Sequence, residues 1–229
     1  MSSLAVFDFD RTIVQDDSDN TIINKLREKK PPPEWEVTNQ DWTPYMSDVF
    51  EHAYSAGLHP SHILDSIASM RPTPGMQELF RELHERGWHL LVLTDANSVF
   101  VDHWLDTHGL KDTVTAVVTN KAFWNNNRLF IEPCMRQGSC ALCPTNLCKT
   151  LALEQFCEGR SYRRLVYCGD GRNDYCPAKH LPSTSTVYPR SGFPLHTLIK
   201  NEPSSVSARV VPWEDAFAIL RDLFNDKQK

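Results

Sequence analysis

Short apolar runs recur along the chain, each closing on polar or small residues, with longer stretches of helical periodicity between them. LAVFDF (4–9), HLLVLTD (89–95), VTAVVTN (114–120), RLVYCGD (164–170) and STSTVYP (183–189) read as strands. They are apolar on successive residues rather than on alternate ones, as expected for parallel strands covered on both faces. Met76, Leu79, Phe80 and Leu83 recur at helical spacing after Pro74-Gly75, and Ala216, Phe217, Leu220, Leu223 and Phe224 do so near the C-terminus. Alternating strands and helices predict an α/β fold, a parallel sheet with helices on both faces.

Residues 16–71 break that alternation. Ile22, Ile23 and Leu26, then Met46, Val49, Phe50, Ala53 and Tyr54, then Ile63, Leu64 and Ile67, make three sets of helical spacing with no strand among them. The prolines at 31–33 read as a stiff break between helices. A helical insertion after the first strand stands over that strand's C-terminal end, which is where open α/β sheets bind ligands. The expected organisation is therefore a core of residues 1–15 and 72–229 with a small helical cap of residues 16–71.

Composition narrows the class. With 229 residues, 41% hydrophobic and 23% charged, the chain can bury one substantial core and is not of disordered composition. A net charge of -5 argues against a nucleic-acid surface. No apolar run has the length of a membrane span, and Asp8 interrupts the first one too early for a signal peptide. Seven cysteines, an odd number, suit reduced thiols better than a disulfide framework. The expectation is a cytoplasmic protein that binds neither membranes nor nucleic acid.

Four polar features would gather at one edge of the sheet if each strand runs parallel to the first. They are DFDRT with Asp8 and Asp10, Thr94 closing LLVLT, Lys149 in CPTNLCKT, and GDGRND with Asp170 and Asp174. Four acids so placed repel one another and any anionic substrate. A hard divalent cation relieves both conflicts, and magnesium favours one or two carboxylates together with phosphate oxygens. One carboxylate can then attack phosphorus, and a second, two positions along, can protonate the leaving alcohol and later activate water. Lys149 and Thr94 would hold the phosphoryl oxygens. Gly169 and Gly171 would allow the tight turn that carries Asp170.

The ordered set DxDx[TV], strand-end Thr, helix Lys and GDxxxD resembles the haloacid-dehalogenase-like phosphatases over nearly the whole chain. VFDFDRTIVQDDSDN, LTDANSVF, CALCPTNLCK, GDGRNDYCP and EPSSVSARVVPWE are similar to the phosphoethanolamine/phosphocholine phosphatase family, whose relatives act on pyridoxal phosphate or thiamine phosphate. The resemblance implies a Rossmann-like core, Asp8 as nucleophile and Asp10 as acid/base. It also implies magnesium held by Asp8, the Asp10 backbone carbonyl and Asp170 with Asp174 in support, and Asp19 and Asp95 facing the leaving group. A carboxylate near a choline or ethanolamine nitrogen gains Coulomb attraction in a closed site. Two positions depart from the family pattern. Arg11 stands where an acid or amide is common, which bears on selectivity, and MRQGS (135–139) lacks the histidines found in relatives.

Other readings stay open at this level. The function expected first is a magnesium-dependent phosphomonoesterase for phosphoethanolamine or phosphocholine. Pyridoxal 5'-phosphate or thiamine monophosphate is the alternative substrate, and a phospho-accepting or zinc-binding regulatory module without turnover is the alternative of another class. Asp19 and Asp95 could instead cap the helices that follow them. Cys140, Cys143 and Cys148, with Cys134 as a fourth, have zinc-like spacing, or else form a thiol-lined loop that positions Lys149. Cys168 and Cys176 read as packing residues. The histidines, His59 and His62 among them, read as surface or capping residues. The six tryptophans read as buried, with Trp35 or Trp42 lining the substrate side of the cap.

Overall fold

The computed structural model describes residues 2–28, 30–35 and 41–224. Its strands are β1 (Ser2–Phe7), β2 (His89–Asn97), β3 (Ala116–Asn125), β4 (Arg128–Glu132), β5 (Tyr162–Gly169), β6 (Thr186–Pro189) and β7 (Arg209–Val210). Its helices are α1 (Ser18–Arg27), α2 (Trp42–Ser55), α3 (Pro60–Ala68), α4 (Met76–Glu85), α5 (Ser98–Thr107), α6 (Lys149–Cys157), α7 (Tyr175–His180), α8 (Pro194–Asn201) and α9 (Ala216–Phe224). The strands form one sheet in the order β4-β3-β2-β1-β5-β6-β7. All pairs are parallel except β3 with β4.

Successive residues of β1 serve opposite faces, which explains its unbroken apolar run. Ala5 and Phe7 join Leu90, Val92, Val166 and Cys168 in a cluster covered by α4, α5 and α9. Leu4 and Val6 join Leu91, Leu93, Tyr167 and Val187 in a second cluster covered by α6, α7 and α8. The sheet is thus an α/β sandwich with helices on both faces, as its strand pattern predicted.

The first cluster extends beyond the sheet. Ile22, Ile23 and Leu26 of α1, Met46, Val49, Phe50 and Ala53 of α2, and Ile63 and Ile67 of α3 belong to it. Phe50 meets Phe100 of α5 edge-on, with ring centroids 5.7 Å apart. The chain leaves the sheet and returns along one short path, where Val14 bridges Pro72 antiparallel and Gln15 N–H donates to the Arg71 carbonyl at 2.9 Å.

Some sequence expectations need correction. The hairpin strand β4 and the short β7 are additional, so the sheet is mixed at one edge. Asn126 and Asn127 take left-handed φ values of 47° and 66°, the conformation that a tight two-residue hairpin turn demands. Finally, α9 buries Ala216, Ile219 and Leu223, while Phe217 is exposed. Phe217 lies across Gly75, whose left-handed φ of 79° starts α4, and a Cβ at Gly75 would stand 2.7 Å from the Phe217 nitrogen. Tyr54 on α2 is likewise exposed, as is Trp35.

Candidate active site

Register sets the level of the site. Phe7 is paired with Val92 on one side and Cys168 on the other. Continuing each strand past those partners brings Asp8, Thr94 and Asp170 to the same edge. This is the C-terminal edge of three adjacent parallel strands, at the point where the chain order reverses about β1.

After β1 the chain makes one wide turn, with the Val14 N–H donating to the Phe9 carbonyl at 3.1 Å. Inside it Asp10 is extended and Arg11 is left-handed, with φ 55°. The Phe9 N–H donates to Asp8 Oδ1 at 2.8 Å, which fixes the Asp8 carboxylate over the strand end. Lys149, fully buried at the start of α6, places Nζ 3.0 Å from Asp8 Oδ1 and 2.8 Å from Asp174 Oδ1. An ammonium has three donors, so one remains. Thr94 Oγ1 accepts the Ala96 N–H at 3.3 Å, leaving its own proton to donate.

Asp174 is the organiser of this floor. Its Oδ1 also accepts the Tyr167 hydroxyl at 2.6 Å, and its Oδ2 accepts the backbone N–H groups of Asp170 and Gly171 at 3.0 and 2.9 Å. Both oxygens are saturated, so Asp174 shapes the loop that presents Asp170. Gly169 and Gly171 serve through space and not through a special φ. A Cβ on Gly169 would lie 2.4 Å from Asp174 Cγ, and one on Gly171 2.5 Å from Asn173 Oδ1.

The electrostatics call for more positive charge than Lys149 brings. Carboxylate oxygens of Asp8, Asp170 and Asp174 lie within 4.8 Å of one another, and all three residues are buried. Burial, resisted by Lys149 and reinforced by Asp174 and Asp170, holds Asp8 well above the ordinary carboxylate range. Burial and the Asp174 charge push Asp170 up to about 7 against Lys149, Arg11 and a 3.4 Å hydrogen bond from Thr12. Burial would strip the Lys149 proton, but Asp174 and Asp8 outweigh it and keep the lysine charged. Oxygen donors with surplus negative charge fit a hard divalent cation, and Asp8 with Asp170 could hold one.

Asp10 is turned away from that cluster. Its Oδ1 accepts the Ser18 N–H at 2.7 Å and its Oδ2 the Ser18 hydroxyl at 3.1 Å, both at the first turn of α1. Burial, with Asp17 and Asp19 nearby, raises its carboxyl well above the usual range and favours the protonated form.

A cleft of about 680 Å³ opens above these acids. Asp19 and Asp95 line it, together with the aromatic trio Trp35, Trp42 and Tyr45. Trp42 stands edge-on to Trp35 with centroids 4.9 Å apart and lies 5.3 Å from Tyr45. Asp19 Oδ2 accepts the Trp42 indole N–H at 2.7 Å, whereas its buried Oδ1 has no hydrogen-bond partner. Burial, against that indole bond, pushes Asp19 up to about 7.

Neither Asp19 nor Asp95 caps a helix. Asp17 caps α1 by accepting the Asn20 N–H at 2.9 Å, and Asn97 caps α5 by accepting the Phe100 N–H at 3.1 Å. Arg11, at the cleft mouth, pairs with Asp17 at 3.5 Å. Arg190 donates to its backbone carbonyl.

Sequence reasoning missed Ser18 and Tyr167; it quoted Thr12 only as the end of DFDRT, and it put Trp42 on the substrate side of the cap without its bond to Asp19. Of the two missed, only Ser18 had a local signal, since it directly follows the capping aspartate. It also misassigned the cysteines: Cys140, Cys143 and Cys148 gather with Cys176 and not with Cys134. The Cys134 N–H donates to Asn120 Oδ1 at 3.0 Å, and its side chain packs against the second apolar cluster.

Known proteins resemble the chain along its length. A family model described as "Putative Phosphatase" matches residues 3–226. The chain is 36% identical over 235 residues to "Pyridoxal phosphate phosphatase PHOSPHO2" of Bos taurus, covering 96% of each. It is 32% identical over 226 residues to "Phosphoethanolamine/phosphocholine phosphatase" of Homo sapiens, covering 93% of this chain and 85% of that one. Among solved structures, "Phospho-Aspartyl Intermediate Analogue of Phosphoserine phosphatase" shares the fold with a TM-score of 0.63 at 19% identity, covering 96% of this chain and 98% of that one.

Proposed function

Because the chain belongs to this family of haloacid-dehalogenase-like phosphatases, and is a phosphoric monoester hydrolase, we propose that it is magnesium-dependent and acts on a small phosphorylated amine, phosphocholine or phosphoethanolamine, through a phosphoaspartate on Asp8. The regulatory module without turnover gives way to family membership. The carrying observation is the convergence of Asp8, Thr94, Lys149 and Asp170 at one sheet edge, with Nζ of Lys149 3.0 Å from Asp8.

Asp8, Asp170 and the Asp10 backbone carbonyl would hold the magnesium, with Asp174 in support. When bound, the cation supplies charge neutralisation between these acids and the phosphate. Asp8 attacks phosphorus while the Asp10 carboxyl gives its proton to the departing alcohol oxygen. Asp10, now a carboxylate steadied by two donors from Ser18, takes a proton from water, and that water splits the phosphoaspartate. The spare Lys149 donor and the Thr94 hydroxyl stabilise charge gathering on the phosphoryl oxygens. Residues 16–71 act as the cap that narrows access to this floor.

Substrate choice rests on the cleft wall. The free oxygen of Asp19 and the faces of Trp35, Trp42 and Tyr45 suit a compact cation, since aromatic rings and a carboxylate both attract quaternary or primary ammonium. A second reading, pyridoxal 5'-phosphate, is favoured by the relative with 36% identity and by the same indoles, which could stack on a pyridine ring.

Two measurements test this. Asp8→Asn should fold and lose turnover, and substantial turnover by that variant with magnesium present sinks the mechanism. With magnesium, kcat/KM for phosphocholine or phosphoethanolamine should exceed that for pyridoxal 5'-phosphate by about tenfold or more, the discrimination that one well-placed charge can give. A preference for pyridoxal 5'-phosphate would transfer the proposal to the second reading.

A further inference from the structure

Away from the cleft, the structure brings four sulfurs together from two separate parts of the chain. Those of Cys140, Cys143, Cys148 and Cys176 lie within 4.8 Å of one another. None of the four cysteines lines the cleft, and all are free thiols. Tetrahedral zinc with Zn–S bonds of about 2.3 Å requires sulfurs separated by about 3.8 Å. The Cys140–Cys176 separation of 3.5 Å is already close to that edge. We propose that these four cysteines form a structural zinc site tying the loop before α6 to the start of α7.

Polar donors approach the sulfurs and the loop that carries them. The Thr150 hydroxyl lies 3.0 Å from Cys176 Sγ and can donate to it. The Leu142 N–H donates to Cys140 Sγ. Gln137 braces the turn from inside: its Nε2 donates to the carbonyls of Cys143 and Pro144 at 3.2 and 2.7 Å, and its Oε1 accepts the Cys140 N–H at 2.9 Å. Groups of this kind orient metal ligands and temper thiolate charge. The segment from 133 to 148 contains no helix or strand, and Leu142 is exposed. Leu147 anchors the end of this segment in the second apolar cluster, but residues 136–145 have no fully buried side chain. That stretch needs another source of order, and four thiolates on a redox-inert ion supply one.

The placement gives the site a purpose. Cys148 directly precedes Lys149, and Cys176 follows Asp174 by two residues. Zinc would therefore staple both ends of the buried Lys149–Asp174 pair, which is 2.8 Å long. Its role would be to hold that geometry, without touching substrate.

The full-length chain, purified without a metal-binding tag and dialysed against a chelator, should carry about one zinc per chain by elemental analysis. Cobalt exchanged into the wild-type protein should show the intense sulfur-to-cobalt charge transfer of a tetrahedral thiolate site. Cys143→Ser and Cys176→Ser should lose the zinc and melt at lower temperature. Asp8→Asn should keep zinc in full, which separates failure of this site from failure of the catalytic reading. Zinc-free protein whose four thiols titrate freely in the native state, with a melting temperature unmoved by added zinc, would overturn the proposal. Iron in place of zinc, or a disulfide within the set, would overturn it equally.

Discussion

Gly169 has almost no room to change, because Asp174 folds back beneath it. A methyl group there would stand 2.4 Å from Asp174 Cγ, and the aspartate could move only by giving up bonds to Lys149, Tyr167 and two backbone amides. Gly169→Ala should therefore cost about 2–3 kcal/mol in urea unfolding, the range for overpacking a tight site, and should depress turnover together with stability. Asp19 makes a pH prediction. Its carboxyl titrates near 7 in the folded protein and near the usual 3.8 when unfolded, so the native state holds the extra proton between those values. Its contribution to stability is then full at acid pH and is lost as pH rises through 7. Binding of a cationic leaving group runs the other way, since only the ionised form attracts it. KM for phosphocholine should fall as pH rises through about 7, and Asp19→Asn should flatten that dependence while raising KM. The acids themselves were legible in the sequence because DxD and GDxxxD bring their spacing with them. The place of Trp42 on the substrate side was legible too, but its bond to Asp19 was not, because that bond spans 23 residues and exists only once α2 packs beside α1.

At the scale of elements, the start of α1 aims Asp10, the proposed acid/base. Asp17 caps the helix, and the next residue, Ser18, has both its N–H and its hydroxyl on Asp10. Ser18→Ala keeps the amide donor and removes one bond to the Asp10 carboxyl, so kcat should fall about tenfold at most. Ser18→Pro is the sharper test. Proline is well tolerated at the first helical position, and Asp17 already has the extended backbone that a following proline requires. The helix should survive while Asp10 loses both donors, giving a larger fall in kcat than Ser18→Ala and a stability loss of about 1–3 kcal/mol, the cost of leaving a partly buried acceptor unpaired. A collapse of stability in Ser18→Pro would count against this division of labour. Element reading from sequence succeeded where apolar runs were long and failed at β4, whose cue was the Asn126-Asn127 turn and not its short alternating flanks. It misjudged the face of α9 because Phe217 is recruited by Gly75, a contact that no helical period encodes.

For the molecule as a whole, one apolar cluster joins the sheet to the three helices between β1 and α4. Phe9 meets Trp104 edge-on at 5.7 Å, and the Trp104 indole N–H donates to the Met70 carbonyl at 2.9 Å, so α5 holds the chain both before α1 and after α3. Unfolding should be a single cooperative transition in calorimetry. Phe100→Ala should shift that one transition by about 3–5 kcal/mol without splitting it. Two resolved melting steps in the wild-type chain would contradict the shared core. Sequence periodicity gave the three helices but not this continuity, which depends on which faces meet.

The packing of α2 against β4 bears on how such a protein can be altered. Arg128 of the hairpin pairs with Glu51 of α2 at 3.2 Å, and Leu129 and Ile131 lie in the same apolar layer as Phe50. Trimming residues 16–71 to obtain a smaller catalyst would strip the hairpin of its cover and leave greasy strand surface free to seed self-association. Chimaeras that borrow this segment from a relative would have to import the matching hairpin with it, because the two halves of that contact must change together.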